Sequence, residues 1–369
     1  MVGGRQGSEC AYRLTETKPH KLPTLPPREG SGLDGEDIMA KIVFAAGTSH
    51  TPMLLAADDT LPRFAETDQK MKHRDKEGRP VTYGDLLEKA DPKLADLVAP
   101  ENLVARQNVA RAAARRLRDA LCAAALDSLV VFGDDQNESY LEDCRPTFAI
   151  YCGGTIRNGN AQHSAYSHLP DWYIRNRAGF FEPVEARDYP VDAALALHLI
   201  ETLLEAEFDL ASSKSLRAGE GEGHAIAYVH RHVMDAKAPI PIVPVFLNTY
   251  FPPNQPSPRR CYKLGQAVRR AVDAYPGNVR VGVLASGGLS HFLVDEELDR
   301  TILKALADKD RAFLQNLPRH KLHAGSSEIL NWVALAGAAE GIDLGWFEYV
   351  PGYRTPAGTG TGMSFATWG

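Results

Sequence analysis

The feature that most constrains this chain is an alternation of short apolar runs and longer segments with apolar residues at helical spacing. The runs are 41–45, 128–132, 147–151, 242–247 and 279–285, most of them closed by Gly, Ser or Asp, and they read as β-strands. Between them, residues 102–125 are rich in Ala and Arg with helical periodicity, and Asp192 is placed to cap "AALALHLIETLLEAE". "RRCYKLGQAVRRAVDAY" and "EELDRTILKALADKDRAFLQNL" are amphipathic. "SSEILNWVALAGAAEG" opens on Ser326 or Ser327 as a cap and closes at Gly341. Strands alternating with helices predict an α/β fold: a central, mostly parallel or mixed sheet flanked by helices, in a single domain.

Residues 1–38 differ from the rest. They are rich in Gly, Pro and charge and show no periodicity, so a disordered arm is expected there, with the domain spanning 39–369. "MAKIVFAAGTSHTP" reads as a fresh start at Met39. The arm lacks the apolar stretch of a signal peptide. Residues 56–100 are polar and irregular and are expected to form a lid or an insertion.

The 369 residues, 44% hydrophobic, suffice for one large domain or two modest ones. A net charge of -6 argues against a nucleic-acid or anionic-membrane partner. No apolar run approaches the roughly 20 residues that cross a bilayer. The five cysteines show no CxxC or paired spacing, so a reduced, cytoplasmic protein is expected.

In α/β sheets chemistry gathers in the loops beyond the carboxyl ends of the strands. "GTSHTP" follows the first strand and carries His50. "GDDQNE" follows the second, and "ASGGLSHF" follows the last and carries His291. "GEGEGHAIAYVH" places His224 at the start of a helix, and Glu328 falls in the first turn of another. Each has a plainer reading. A histidine can cap a turn, acids favour helix first turns, and acid–amide clusters are common in loops. The functional reading makes His50 a metal ligand, since imidazole suits iron, zinc and copper. It makes His291 a general acid–base and His224 a partner of substrate or oxygen. His230 and His232 read as solvated. "GTGTG" (358–362) lacks a following helix and "GEGEG" lacks a strand and a GK[ST] ending, so neither is a phosphate loop. There is no GxSxG elbow to support a serine hydrolase.

Taken together these segments resemble the class III extradiol ring-cleavage dioxygenases, the superfamily of the protocatechuate 4,5-dioxygenase β chain. "GTSHTP", "PTFAIYCGG", "GEGHAIAYV", "PVFLNTYFPPNQPSPRRCYKLGQAVRRAV", "ASGGLSH" and "GSSEILNWVALAGA" follow the family's order from about residue 41 to 368. The resemblance implies ferrous iron, or Mn(II), held by two histidines and a carboxylate, with His50 and Glu328 as ligands. It implies His291 as the acid–base, His224 at substrate or oxygen, a small aromatic diol and O2 as substrates, and a homodimer. Where relatives carry Asp-His at the second ligand, this chain has Gly133-Asp134-Asp135-Gln136. Counting from the strand puts Asp135 at that position. Counting back from Pro146 puts Gln136 there, and Gln136 is preferred because "Asp-Gln" reads as "Asp-His" after a one-residue insertion. The alternative is a non-oxygenase member of the fold, an interaction module or a metal-dependent hydrolase. Tyr353, Arg354 and residues 56–100 are the candidates for reading a substrate carboxylate or closing the site.

Overall fold

A computed structural model describes residues 39–160 and 164–369; the arm expected over 1–38 lies outside the described residues. Eight strands form the central sheet: β1 (Lys41–Thr48), β2 (Ser128–Asp134), β3 (Phe148–Tyr151), β4 (Ala211–Ser213), β5 (Ile242–Leu247), β6 (Arg280–Ser286), β7 (Leu344–Tyr353) and β8 (Gly360–Trp368). Their order in space is β7-β8-β1-β6-β2-β5-β3-β4. The centre, β1-β6-β2-β5, is parallel. β3 runs antiparallel to β5, and β8 runs antiparallel to both β1 and β7. The sheet is therefore mixed, as expected. Three of the strands run past their expected ends, β1 to Thr48, β2 to Asp134 and β6 to Ser286. Those extensions carry the chain directly to the loops that matter. The C-terminal hairpin β7–β8 was not expected. "GTGTG" is its turn and the start of β8.

The sheet is covered on both faces. Successive residues of a strand point to opposite sides, so in β2 Leu129 and Val131 join one core and Val130 and Phe132 the other. The first core is closed by α1 (Pro100–Ala123), which buries Leu103, Gln107, Ala110, Ala113, Leu117 and Leu121 at helical spacing. Helix α1 ends two residues short of its expected limit, next to Ala125, whose φ of 47° leaves the helical region. A short α2 (Asp171–Arg177) lies nearer the site. Helix α3 (Ala193–Glu205) is capped by Asp192, whose carboxylate accepts the Leu195 N–H. Next come α4 (His224–Tyr228), α5 (Pro258–Asp273), α6 (Glu296–Ala307) and α7 (Ile329–Ala338). Helices α3, α5, α6 and α7 supply the second core.

Two helix expectations need correction. "EELDRTILKALADKDRAFLQNL" is not continuous. Lys309 takes a positive φ of 55°, and Asp310 caps a separate helix, Arg311–Gln315. Neither Ser326 nor Ser327 caps α7. A 3-10 turn, Ala324–Glu328, leads into it, and both hydroxyls bond elsewhere.

Helix α7 also ties two loops together. Trp332 is fully buried and donates its indole N–H to the Gly287 carbonyl at 2.9 Å. Its ring lies flush on β1, where a Cβ added at Gly47 would sit 2.3 Å from Cζ3. Only glycine allows that approach. We expect Gly47→Ala to cost about 1–3 kcal/mol by overpacking, read from urea unfolding. A change below about 0.5 kcal/mol would mean that the ring gives way freely.

Candidate active site

The site lies at the carboxyl ends of the central parallel strands, where this sheet topology gathers ligands. His50 follows β1, Asp134 ends β2, Tyr250 follows β5 and His291 follows β6. His50, Gln136, His224, Tyr250, His291 and Glu328 line one cleft of about 490 Å³.

His50 has a defined orientation. The single proton of the Ser286 hydroxyl is donated to the Ala225 carbonyl at 2.7 Å. Ser286 Oγ therefore accepts the Nδ1–H of His50 at 2.9 Å. In the neutral ring this leaves a lone pair on Nε2. That atom is buried and has no hydrogen-bond partner. It faces Glu328 Oε2 at 3.3 Å and Asp134 Oδ1 at 4.0 Å. A lone pair aimed at two buried carboxylates calls for a cation or a proton between them. Burial would lower the pKa of His50, but Glu328, Asp134 and Glu138 outweigh it and the net shift is upward. Burial and Glu328 raise Asp134. Potential ligand atoms of His50, Asp134 and His224 lie within 4.8 Å of one another.

Glu328 is held from several directions. Oε2 accepts the Gly288 backbone N–H at 2.7 Å. Oε1 accepts the Tyr250 hydroxyl at 3.2 Å and faces His291 Nε2 at 3.1 Å. Burial opposes its charge, yet His291 and His50 hold its carboxyl well below the usual range. His291 donates Nδ1–H to the Leu289 carbonyl at 2.8 Å, which leaves Nε2 as its working nitrogen. Its peptide is bracketed by Ser326: the hydroxyl accepts the His291 N–H at 2.9 Å and donates to the His291 carbonyl at 3.0 Å. Gly325 lies against the imidazole, where a Cβ would fall 1.6 Å from Cδ2.

His224 opens α4, as expected. Its backbone N–H and Nδ1 both bond the Glu138 carboxylate, at 2.8 and 2.9 Å. Burial pushes Glu138 up, but His224 overrides it and brings the pKa down to about 2. The imidazole ring meets that of His50 edge to face at 4.6 Å.

The other expected positions divide. Gln136 joins the group and donates its amide N–H to Asp134 Oδ2 at 3.0 Å and Glu328 Oε1 at 3.3 Å. Asp135 stands apart. Its carboxylate accepts the N–H groups of Ser139 at 2.7 Å and Tyr140 at 3.2 Å and shapes the loop. Burial and the charge of Glu138 push it up to about 7. His230 is not solvated: it is buried, bonded to Glu222 at 2.9 Å and stacked on Tyr189 at 4.0 Å. His232 is partly buried and donates to the Gly179 carbonyl. Arg354 is taken up by Asp68 through two hydrogen bonds of 2.7 Å, and the Tyr353 hydroxyl by Glu296.

Asp134, Tyr250 and Arg177 were not singled out from the sequence. For Asp134 a signal existed, since the alternation through Val130 and Phe132 puts it on their side of the sheet, facing Asn331 of α7. For Tyr250 and Arg177 there was none.

The histidine–carboxylate cluster at the strand ends of this mixed α/β sheet has ligand atoms close enough together to hold a metal ion. Residues 45–362 match the family model for the catalytic LigB subunit of aromatic ring-opening dioxygenase, and the chain belongs to that family. It is 31% identical over 155 residues to a gallate dioxygenase of Pseudomonas putida, covering 39% of this chain and 45% of that protein. It is 30% identical over 197 residues to a 2,3-dihydroxyphenylpropionate/2,3-dihydroxicinnamic acid 1,2-dioxygenase of Cupriavidus necator, covering 52% of this chain and 51% of that protein. The chain thus spans about half the length of these relatives. No helix among the described residues is long and apolar enough to cross a membrane.

The Asp68–Arg354 pair props the cleft wall, and Thr359 also donates to Asp68. Removing one partner strands the other charge. Asp68→Leu is expected to cost about 3–5 kcal/mol, with the double variant Asp68→Leu/Arg354→Met less destabilised than the single one. Denaturant unfolding of the two variants checks this, and a single-variant loss below about 1 kcal/mol would contradict it.

Proposed function

We propose that this chain is a ferrous-iron-dependent extradiol dioxygenase. It opens the ring of a catecholic or gallate-like aromatic, adding both atoms of O2 across a C–C bond beside the diol, with Mn(II) as the alternative ion. The observation that carries the reading is the buried, partnerless Nε2 of His50, aimed at two carboxylates in a cleft sized for a small aromatic ligand. The names of the relatives support a hydroxylated aromatic substrate.

The residues fit such an ion. An imidazole with two carboxylates is a nitrogen–oxygen donor set suited to Fe(II) or Mn(II). Ser286 supplies the outer partner that ligating histidines usually have on their second nitrogen. His50, Asp134 and Glu328 would hold the metal, with Asp134 as second ligand in place of the Gln136 or Asp135 expected from the sequence. Gln136 and the Gly288 N–H orient the two carboxylates. When bound, the ion supplies Lewis acidity that favours phenol ionisation and a common centre for ring and O2. His291 takes or returns a proton at Nε2, the nitrogen its Leu289 contact leaves available. His224, fixed by Glu138, contacts the ring or O2. A homodimer in the cytoplasm completes the reading.

The test is anaerobic loading with Fe(II), then a panel of catechols and gallates, then O2. Oxygen uptake with a new near-ultraviolet or visible absorbance is expected. Metal at about 100 times its Kd should add about 2.7 kcal/mol of stability, read as a higher melting temperature. His291→Ala should keep the metal and lose about 10²–10⁴-fold in turnover. Asp134→Ala should lose the metal while Asp135→Asn keeps it; the reverse pattern moves the second ligand. Full iron content with no oxygen uptake across the panel would overturn the dioxygenase reading.

A further inference from the structure

His291 has Nε2 free because its Nδ1–H is donated to the Leu289 carbonyl, two residues earlier in the same loop. That bond lasts only while Ser290, between the two, keeps its backbone angles. Ser290 is gripped by a carboxylate of α6. Asp299 Oδ1 accepts the Ser290 N–H at 2.8 Å, and Oδ2 accepts the Ser290 hydroxyl at 2.7 Å. The same Oδ2 accepts the Tyr349 hydroxyl of β7 at 2.7 Å. Strand β8 meets the loop as well. Gly362 donates its N–H to the Ser290 carbonyl at 2.8 Å and accepts the Leu289 N–H at 3.0 Å. A Cβ at Gly362 would fall 2.0 Å from Asp299 Oδ2, so glycine there leaves room for the carboxylate.

Asp299 is fully buried, and these three donors are all neutral. Burial pushes its carboxyl up to about 6 against the pull of the donors, and the charge of Asp295 adds to the rise. A leucine of similar size would avoid that cost but would leave the Ser290 N–H and hydroxyl unpaired. Ser326 holds the next peptide, so the consecutive N–H groups of Ser290 and His291 are accepted by side chains of two separate elements. We propose that Asp299 is a positioning residue for His291. Through Ser290 it fixes the loop that presents the imidazole, and with it the tautomer that leaves Nε2 free. The inference rests on the reading above in giving His291 the proton transfer.

The experiment compares the full chain with Asp299→Leu and Asp299→Asn. The amide keeps the shape, an oxygen for the Ser290 N–H and an N–H that the two hydroxyls can accept. The first readout needs no metal. Histidine is labelled with 15N, the His291 signal is identified by its loss in His291→Ala, and long-range 1H–15N spectra report the tautomer. A single Nδ1–H form is expected in the unaltered protein and in Asp299→Asn, and a mixture in Asp299→Leu. The second readout is oxygen uptake by the iron-loaded protein. In Asp299→Leu kcat should fall about 10- to 100-fold with KM and iron content unchanged, and Asp299→Asn should recover most of that loss. A single tautomer kept in a folded Asp299→Leu, a mixture in the unaltered protein, or a loss confined to KM or iron content would each overturn the proposal. If Asp299→Leu does not fold, Ser290→Ala decides on the same readouts, with a smaller shift because the backbone contact survives. A tautomer change without oxygen uptake in any form would keep the positioning role and remove the dioxygenase reading. Equal oxygen uptake in all forms with one tautomer would do the opposite.

Discussion

The carboxylate of Glu328 is the point on which the site is assembled. It enters from a 3-10 turn ahead of α7, and it meets groups delivered by four strand ends. The Gly288 N–H and His291 come from beyond β6, Tyr250 from beyond β5, Gln136 from beyond β2 and His50 from beyond β1. A buried carboxylate with fewer donors would be driven toward its neutral form. Here the surrounding donors and imidazoles hold it ionised despite burial. A preformed, buried negative charge is what a cation site needs before any ion arrives.

That convergence depends on packing far from polar chemistry. Trp332 sits one turn after Glu328, fills the space left by Gly47 and bonds the Gly287 carbonyl. The strand before His50 and the loop before His291 are thus locked to the helix whose start carries Glu328. Ser326 then clamps the His291 peptide, and Gly325 leaves room for its ring. Helix α7 acts as a jig: apolar residues set the distance and the polar ones inherit it.

Much of this was legible in the sequence because strands and glycine-bounded loops are local signals. The parallel centre, the loops with His50 and His291, and the helix start at His224 follow from short-range pattern alone. The β7–β8 hairpin was missed because its residues mix aromatic, polar and Gly/Pro positions, and partial exposure blurs the alternation of β7. The break at Lys309 was missed because a positive φ at a lysine has no compositional mark. The burial of His230 depends on Tyr189 and Glu222, eight or more residues distant in the chain. Arg354 and Arg177 look alike in sequence, and only the tertiary partner Asp68 separates a structural arginine from one with donors to spare.

That difference bears on the charge of the whole cleft. In the proposed reading, Asp134 replaces an imidazole that the resemblance leads one to expect. A divalent ion with one neutral histidine and two carboxylates is close to neutral, whereas two histidines and one carboxylate leave a unit positive charge. The substitution therefore weakens the pull of the centre on an anionic ligand, and at low effective dielectric a unit charge matters over several ångströms. Arg177 lies behind the Tyr166 ring, and its charge is among those that lower the pKa of the nearby Glu138 carboxyl.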